Sequence, residues 1–79
     1  MRKVIIDETS DTIDVHKVEV SEGVVYVGKH NGVRGFVTHI SPKAPSLCVM
    51  FVDGSRSNVF NTFKDMFLSH EFSGTFYQL

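Results

Sequence analysis

Lys29, His30 and Arg34 crowd into one short stretch of the segment Val25–Ile40, between and beside the glycines Gly28, Gly32 and Gly35. Cations at that density fit anion contact. Guanidinium and ammonium groups neutralise phosphates, and the amides of a glycine turn add further donors. Tyr26 and Phe36 flank the same stretch, and an aromatic ring beside an arginine offers a surface on which an unpaired base can stack. Two more cations, Lys43 and Arg56, follow downstream. The candidate binding set is therefore Tyr26, Lys29, His30, Gly32, Arg34, Gly35, Phe36, Lys43 and Arg56.

Other chemistry finds little support. His16, His30, His39 and His70 are scattered, and no Cys-x-x-Cys or His-x-x-x-His spacing presents two metal ligands together. His30 and His39 facing each other across a hairpin would still lack a third ligand, so no metal or other cofactor is expected. Ser69, His70 and Glu71 are adjacent in sequence only, whereas a serine nucleophile needs a base and an orienting acid in spatial contact. Asp11 and Asp14 lie in a polar region that favours a solubilising role. Neither a P-loop nor a dinucleotide fingerprint is present. No catalytic residues are assigned, and the expectation is a protein that is not an enzyme.

These residues need elements to hold them. Alternating apolar positions predict strands over Lys3–Asp7, Val24–Gly28, Phe36–Ile40 and Leu47–Val52. A further extended region covers Ile13, Val15, Val18 and Val20. Its alternation slips at His16-Lys17, which fits a bulge or a bend. The alternation puts Phe36 on the opposite side from a core-facing Val37. Glycines between Val24–Gly28 and Phe36–Ile40 predict a curled hairpin with a cationic tip. Ser41–Ser46, with both prolines, is expected to be a connecting loop, and Asp53-Gly54 a hairpin turn. Val59, Phe63, Met66 and Phe67 then form the apolar face of a short helix, with Asn61 as N-cap. Phe72, Phe76 and Tyr77 suggest a last strand or an ordered tail. About five short strands and one helical turn imply a mainly β, strongly bent barrel in a single domain spanning 1–79.

Size and composition agree with a binding module. The chain has 79 residues, enough for one small core but not for a deep active-site chamber. It has seven Phe and no Trp, so phenylalanines must fill much of that core. Its single cysteine, Cys48, lies in the apolar run Leu47–Val52 and reads as a core thiol. Without disulfides a cytoplasmic setting is expected. That run is far too short to cross a membrane, and Val4-Ile5-Ile6 ahead of Asp7-Glu8 is no signal peptide, so no membrane partner is expected. The net charge of −1 hides an asymmetry. Met1–Glu22 holds six acids and three bases, whereas Gly23–Lys64 holds five bases and only Asp53. The middle of the chain is thus modestly basic.

The pattern Val25-x-Val27, Gly32-x-x-Gly35-x-Val37-x-x-Ile40 resembles the KOW motif of SH3-like barrels in ribosomal proteins and transcription elongation factors. Val49-x-Phe51-x-Asp53-Gly54 and Val59 resemble the next hairpin of such a barrel. The resemblance covers about half the chain. It implies a small SH3-like β-barrel of about five strands with one short C-terminal helix, whose glycine loop contacts RNA, DNA or a protein of the transcription or translation machinery. It also implies that Gly32 and Gly35 shape the turn, that Lys29 and Arg34 are the contacting cations, and that Val37 and Ile40 pack inside. Asn31 and Val33 depart from the motif, which often has a lysine or arginine and a polar residue there. Small phage-encoded proteins also carry such barrels, which gives the alternative of a protein-interaction module that docks on a host enzyme or ribonucleoprotein. The chain is expected to be a monomer, or a weak homodimer paired through an exposed sheet edge.

Overall fold

A computed structural model describes residues 1–79. The chain is mainly β. Its strands are β1 (Arg2–Ile5), β2 (Thr12–Asp14), β3 (Val24–Gly28), β4 (Arg34–Ser41), β5 (Ala44–Phe51) and β6 (Gly74–Gln78). A single helix, α1 (Phe63–Leu68), lies between β5 and β6. The strands make one six-stranded sheet in the order β2-β1-β6-β3-β4-β5. β3, β4 and β5 form an antiparallel meander, and β6 returns to insert between β1 and β3. No helix is long and apolar enough to cross a membrane.

The predicted strands appear with shifted ends. β1 stops at Ile5 and does not reach Asp7. The second extended region is largely not extended: only Thr12–Asp14 pairs, in parallel with β1, and two 3-10 turns follow at Val15–Lys17 and Val20–Glu22. The slip at His16-Lys17 is therefore a turn. Asp14 explains it, because its side chain accepts the His16 N–H at 2.8 Å and caps the turn. The proline segment is also shorter as a loop than expected. Only Pro42 and Lys43 lie between β4 and β5, and Pro45 sits within β5.

The helix begins two residues after Asn61. Its N-cap is Thr62, whose hydroxyl accepts the Asp65 N–H at 3.1 Å. Phe63 and Met66 are buried, but Val59 precedes the helix and is exposed. Phe60 pairs its backbone with Leu47, and Ser57 N–H donates to the Val49 carbonyl, so the segment between the Asp53-Gly54 turn and α1 runs along the outer edge of β5.

One face of the sheet carries the core. Val4, Val24, Tyr26, Val37, Leu47, Val49 and Phe76 are buried there with Phe63 and Met66 of the helix. Six phenylalanines, Phe51, Phe60, Phe63, Phe67, Phe72 and Phe76, belong to this core or pack against it. Phe76 is their hub, with ring centroids 5.1 Å from Tyr26 and 5.3 Å from both Phe63 and Phe72. Cys48 is buried and free.

Candidate functional site

The β3–β4 hairpin holds out its loop as the spacing predicts. The Gly28 N–H donates to the Val33 carbonyl at 2.7 Å and closes a loop of Lys29–Val33. Gly32 adopts φ +60° with open space around its α-carbon, the left-handed position for which glycine is suited. Lys29, His30 and Arg34 are all exposed. Gly35 has a different role. It is buried inside β4, where an added Cβ would meet Val49 Cγ1 at 2.7 Å and the Met50 carbonyl oxygen at 2.8 Å. It permits close packing of β4 on β5 and does not shape the turn.

Phe36 points away from the core. It is 53% exposed, while its neighbour Val37 is buried. Cross-strand register extends a row through it. Lys3 pairs with Tyr77, Tyr77 with Val25, Val25 with Phe36, Phe36 with Met50, and Met50 with Arg56. Residues directly opposite in antiparallel strands share a face. The outer face therefore presents Lys3, Tyr77, Val25, Phe36, Met50 and Arg56 in line across the sheet. Arg34 is two residues from Phe36 on β4 and so shares that face, opposite Val27.

The cations divide into two groups. Arg2 and Lys17 both bind Glu8, at 2.6 Å and 2.9 Å. The Lys17 ammonium, then the Arg2 guanidinium, hold the Glu8 carboxyl below its ordinary pKa, and Glu8 in turn raises that of Lys17. Lys3, Lys29, Arg34, Lys43, Arg56 and Lys64 make no ion pair. Asp53, in the turn after β5, is held below its usual pKa by the Ser55 hydroxyl and N–H, so it stays ionised near the Arg34 end of the sheet.

Two more candidate residues, Tyr26 and Lys43, lie away from both this face and the loop, as buried Gly35 does. Tyr26 is buried at 5% exposure, and its ring packs on Phe51, Phe72 and Phe76, so it offers no stacking face to a base. Lys43 lies at the β4–β5 turn, beyond the far end of β4 from Arg34, and β4 itself spans about 23 Å. His39 lies near that far end and bonds the Pro45 carbonyl, so it does not face His30. Ile40, expected inside with Val37, is 40% exposed. Residues three apart in a strand point to opposite sides, and the register shift between His39 and Ser41 does not turn Ile40 inward.

The sequence reading missed Lys3 and Tyr77. Their only signal is alternation: each neighbours a buried residue, Val4 or Phe76, and so must face outward. The return of β6 beside β3 is a long-range pairing that local spacing does not encode.

No side-chain cluster with three metal-ligating groups forms. The Ser69 hydroxyl donates to the Met66 carbonyl at 2.7 Å and accepts the Glu71 N–H, so it serves the end of the helix. Compared with known proteins, the chain matches no family model, no curated protein and no solved structure.

Proposed function

We propose that the chain is a non-catalytic nucleic-acid-binding module that works with the transcription or translation machinery on RNA or DNA. One observation carries this reading: Phe36 is the only phenylalanine outside the core, and it shares the outer face with Arg34 and Arg56, neither of which is in an ion pair. An exposed ring on one face with two unpaired guanidiniums combines the two contacts that nucleic acid rewards, stacking and phosphate neutralisation. The exposed Lys29–Val33 loop adds a cation and backbone donors at one end.

The proposed fold is an SH3-like barrel with an N-terminal addition. In its support, β3, β4 and β5 run as a meander, the segment up to Phe60 continues along β5, a short helix follows, and β6 returns to pair with β3. β1 and β2 add to the far side of β6.

Salt titration of RNA and DNA binding tests the reading. With Lys3, Lys29, Arg34 and Arg56 as contacts, log K against log salt is expected to slope at about −3 to −4, and Arg34→Ala to reduce that slope by about 0.7 to 0.9 while weakening all sequences alike. Absence of binding to mixed RNA and DNA at low salt rules the reading out.

A second reading is docking on a host protein. Its support is that Val25, Phe36 and Met50 form the apolar centre of the same row. Aromatic-centred docking predicts stoichiometric capture of a protein that survives nuclease and high salt.

A further inference from the structure

We infer that the outer sheet face binds a single strand, with Phe36 and Tyr77 each stacking an unpaired base as the strand runs across β6, β3 and β4. This rests on the nucleic-acid reading and names its substrate class and path.

The register sets the spacing. Tyr77 and Phe36 both oppose Val25, one from each side, so they lie two strands apart on one face. That separation is about 10 Å. A base inside a duplex exposes its edge and hides its faces, so rings projecting from a sheet gain nothing from paired bases. Unpaired bases have faces to offer. The rings are accessible to different degrees: Phe36 is more than half exposed, and Tyr77 is half-buried. Tyr77 lines a shallow open depression with Val27, Lys29 and Thr75.

Charge placement gives the strand its path. Lys3 and Arg56 stand at the two ends of the row, and Arg34 stands beside its centre. The row itself contains no acidic residue. Asp14, at the sheet's edge on β2, directs its two oxygens to the Asp7 and His16 N–H groups, at 2.6 Å and 2.8 Å. From Lys3 to Arg56 the row crosses five strand spacings, about 24 Å. This length suits about four nucleotides, the lower end of the site sizes of small single-strand-binding folds. Apolar residues at the centre with cations at both ends match a polyanion with apolar bases better than they match an acidic protein surface.

The test is fluorescence anisotropy at low salt with labelled oligo-dT and oligo-U of about eight nucleotides, and with blunt DNA and RNA duplexes of similar length. The expected result is tighter binding of single strands than of duplexes. Phe36→Ala weakens single-strand binding by about 5- to 100-fold, and Phe36→Tyr retains it. Phe36 is exposed, so thermal unfolding of both variants should match the wild type and separate loss of binding from loss of fold. Equal affinity for duplex, or unchanged single-strand binding by Phe36→Ala, overturns the inference. If Arg34→Ala still weakens binding in that case, the nucleic-acid reading stands alone. Absence of binding by every probe overturns both. A dimer in sedimentation that Phe36→Ala dissolves also overturns it, because the face is then covered by a second copy.

Discussion

Replacing Gln78 with leucine tests how β6 is held in register, and therefore how Tyr77 reaches the outer face. Gln78 is 4% exposed. Its Oε1 accepts the Glu19 N–H at 2.9 Å, and its Nε2 donates to the Gly23 carbonyl at 2.7 Å. One side chain thus ties the second 3-10 turn and the entry to β3 to the last strand. Leucine fills a similar volume but makes neither bond. The two losses are unequal. The Gly23 carbonyl keeps a second donor, the Leu79 N–H at 3.0 Å, so losing Nε2 removes only a net hydrogen bond of about 1 kcal/mol. The Glu19 N–H has no replacement, and leaving it unpaired costs about 1–2 kcal/mol in a partly buried setting. The sum is about 2–3 kcal/mol, a large share of the ~4–12 kcal/mol expected for a chain of this size. With a urea m-value near 1 kcal/mol per M, the unfolding midpoint should fall by about 2 M while m stays constant. A fall below about 0.5 M would show that water replaces both bonds and that the clasp does not set the register.

Two other substitutions probe the frame. Gly35→Ala should destabilise by about 1–3 kcal/mol in the same urea assay, because the new methyl meets the Met50 carbonyl oxygen, which only a backbone shift relieves. Stability should also fall in acid. The carboxyls of Asp14, held down chiefly by the His16 N–H, of Glu8 and of Asp53 all have lowered folded pKa values. Their contribution is complete above the unfolded carboxylate range near pH 4 and is lost as pH drops through the lower folded values. Urea midpoints from pH 7 to 3 should therefore be level and then decline, with a shallower decline in Asp14→Asn.

What the chain discloses locally and what it withholds follow from the range of the forces involved. Val24–Gly28 reads correctly because alternation and flanking glycines are written within five residues. The outward turn of Phe36 follows from the same period. Tyr26 fails for the opposite reason: its phenol suits a binding surface, and only the packing of Phe51, Phe72 and Phe76 around it, from distant segments, makes it core. Gly35 looks like a turn glycine until β5 is placed against it. Lys43 and Arg34 look like one basic patch in the sequence, and the extended length of β4 holds them apart. The Asp14 cap that bends His16-Lys17 was legible in principle, since a short acceptor two residues before an N–H is a known turn device.

The distribution of the phenylalanines bears on whether the outer face has a purpose. Small domains lack enough polar residues to cover themselves, so a single exposed apolar side chain ordinarily needs no explanation. Val52 and Val59 are exposed in irregular segments and fit that account. Phe36 does not fit it as easily. It lies in the middle of a regular strand, at a position where a threonine would satisfy the β conformation equally well and would not face water with an aromatic ring. Its removal would open no cavity, because the six core rings pack on the other side of the sheet. Phe36 is therefore no part of the buried core, and two arginines that make no ion pair stand on the same face. On the proposed nucleic-acid reading, an exposed ring on the same face as unpaired arginines is kept for stacking and not for the core.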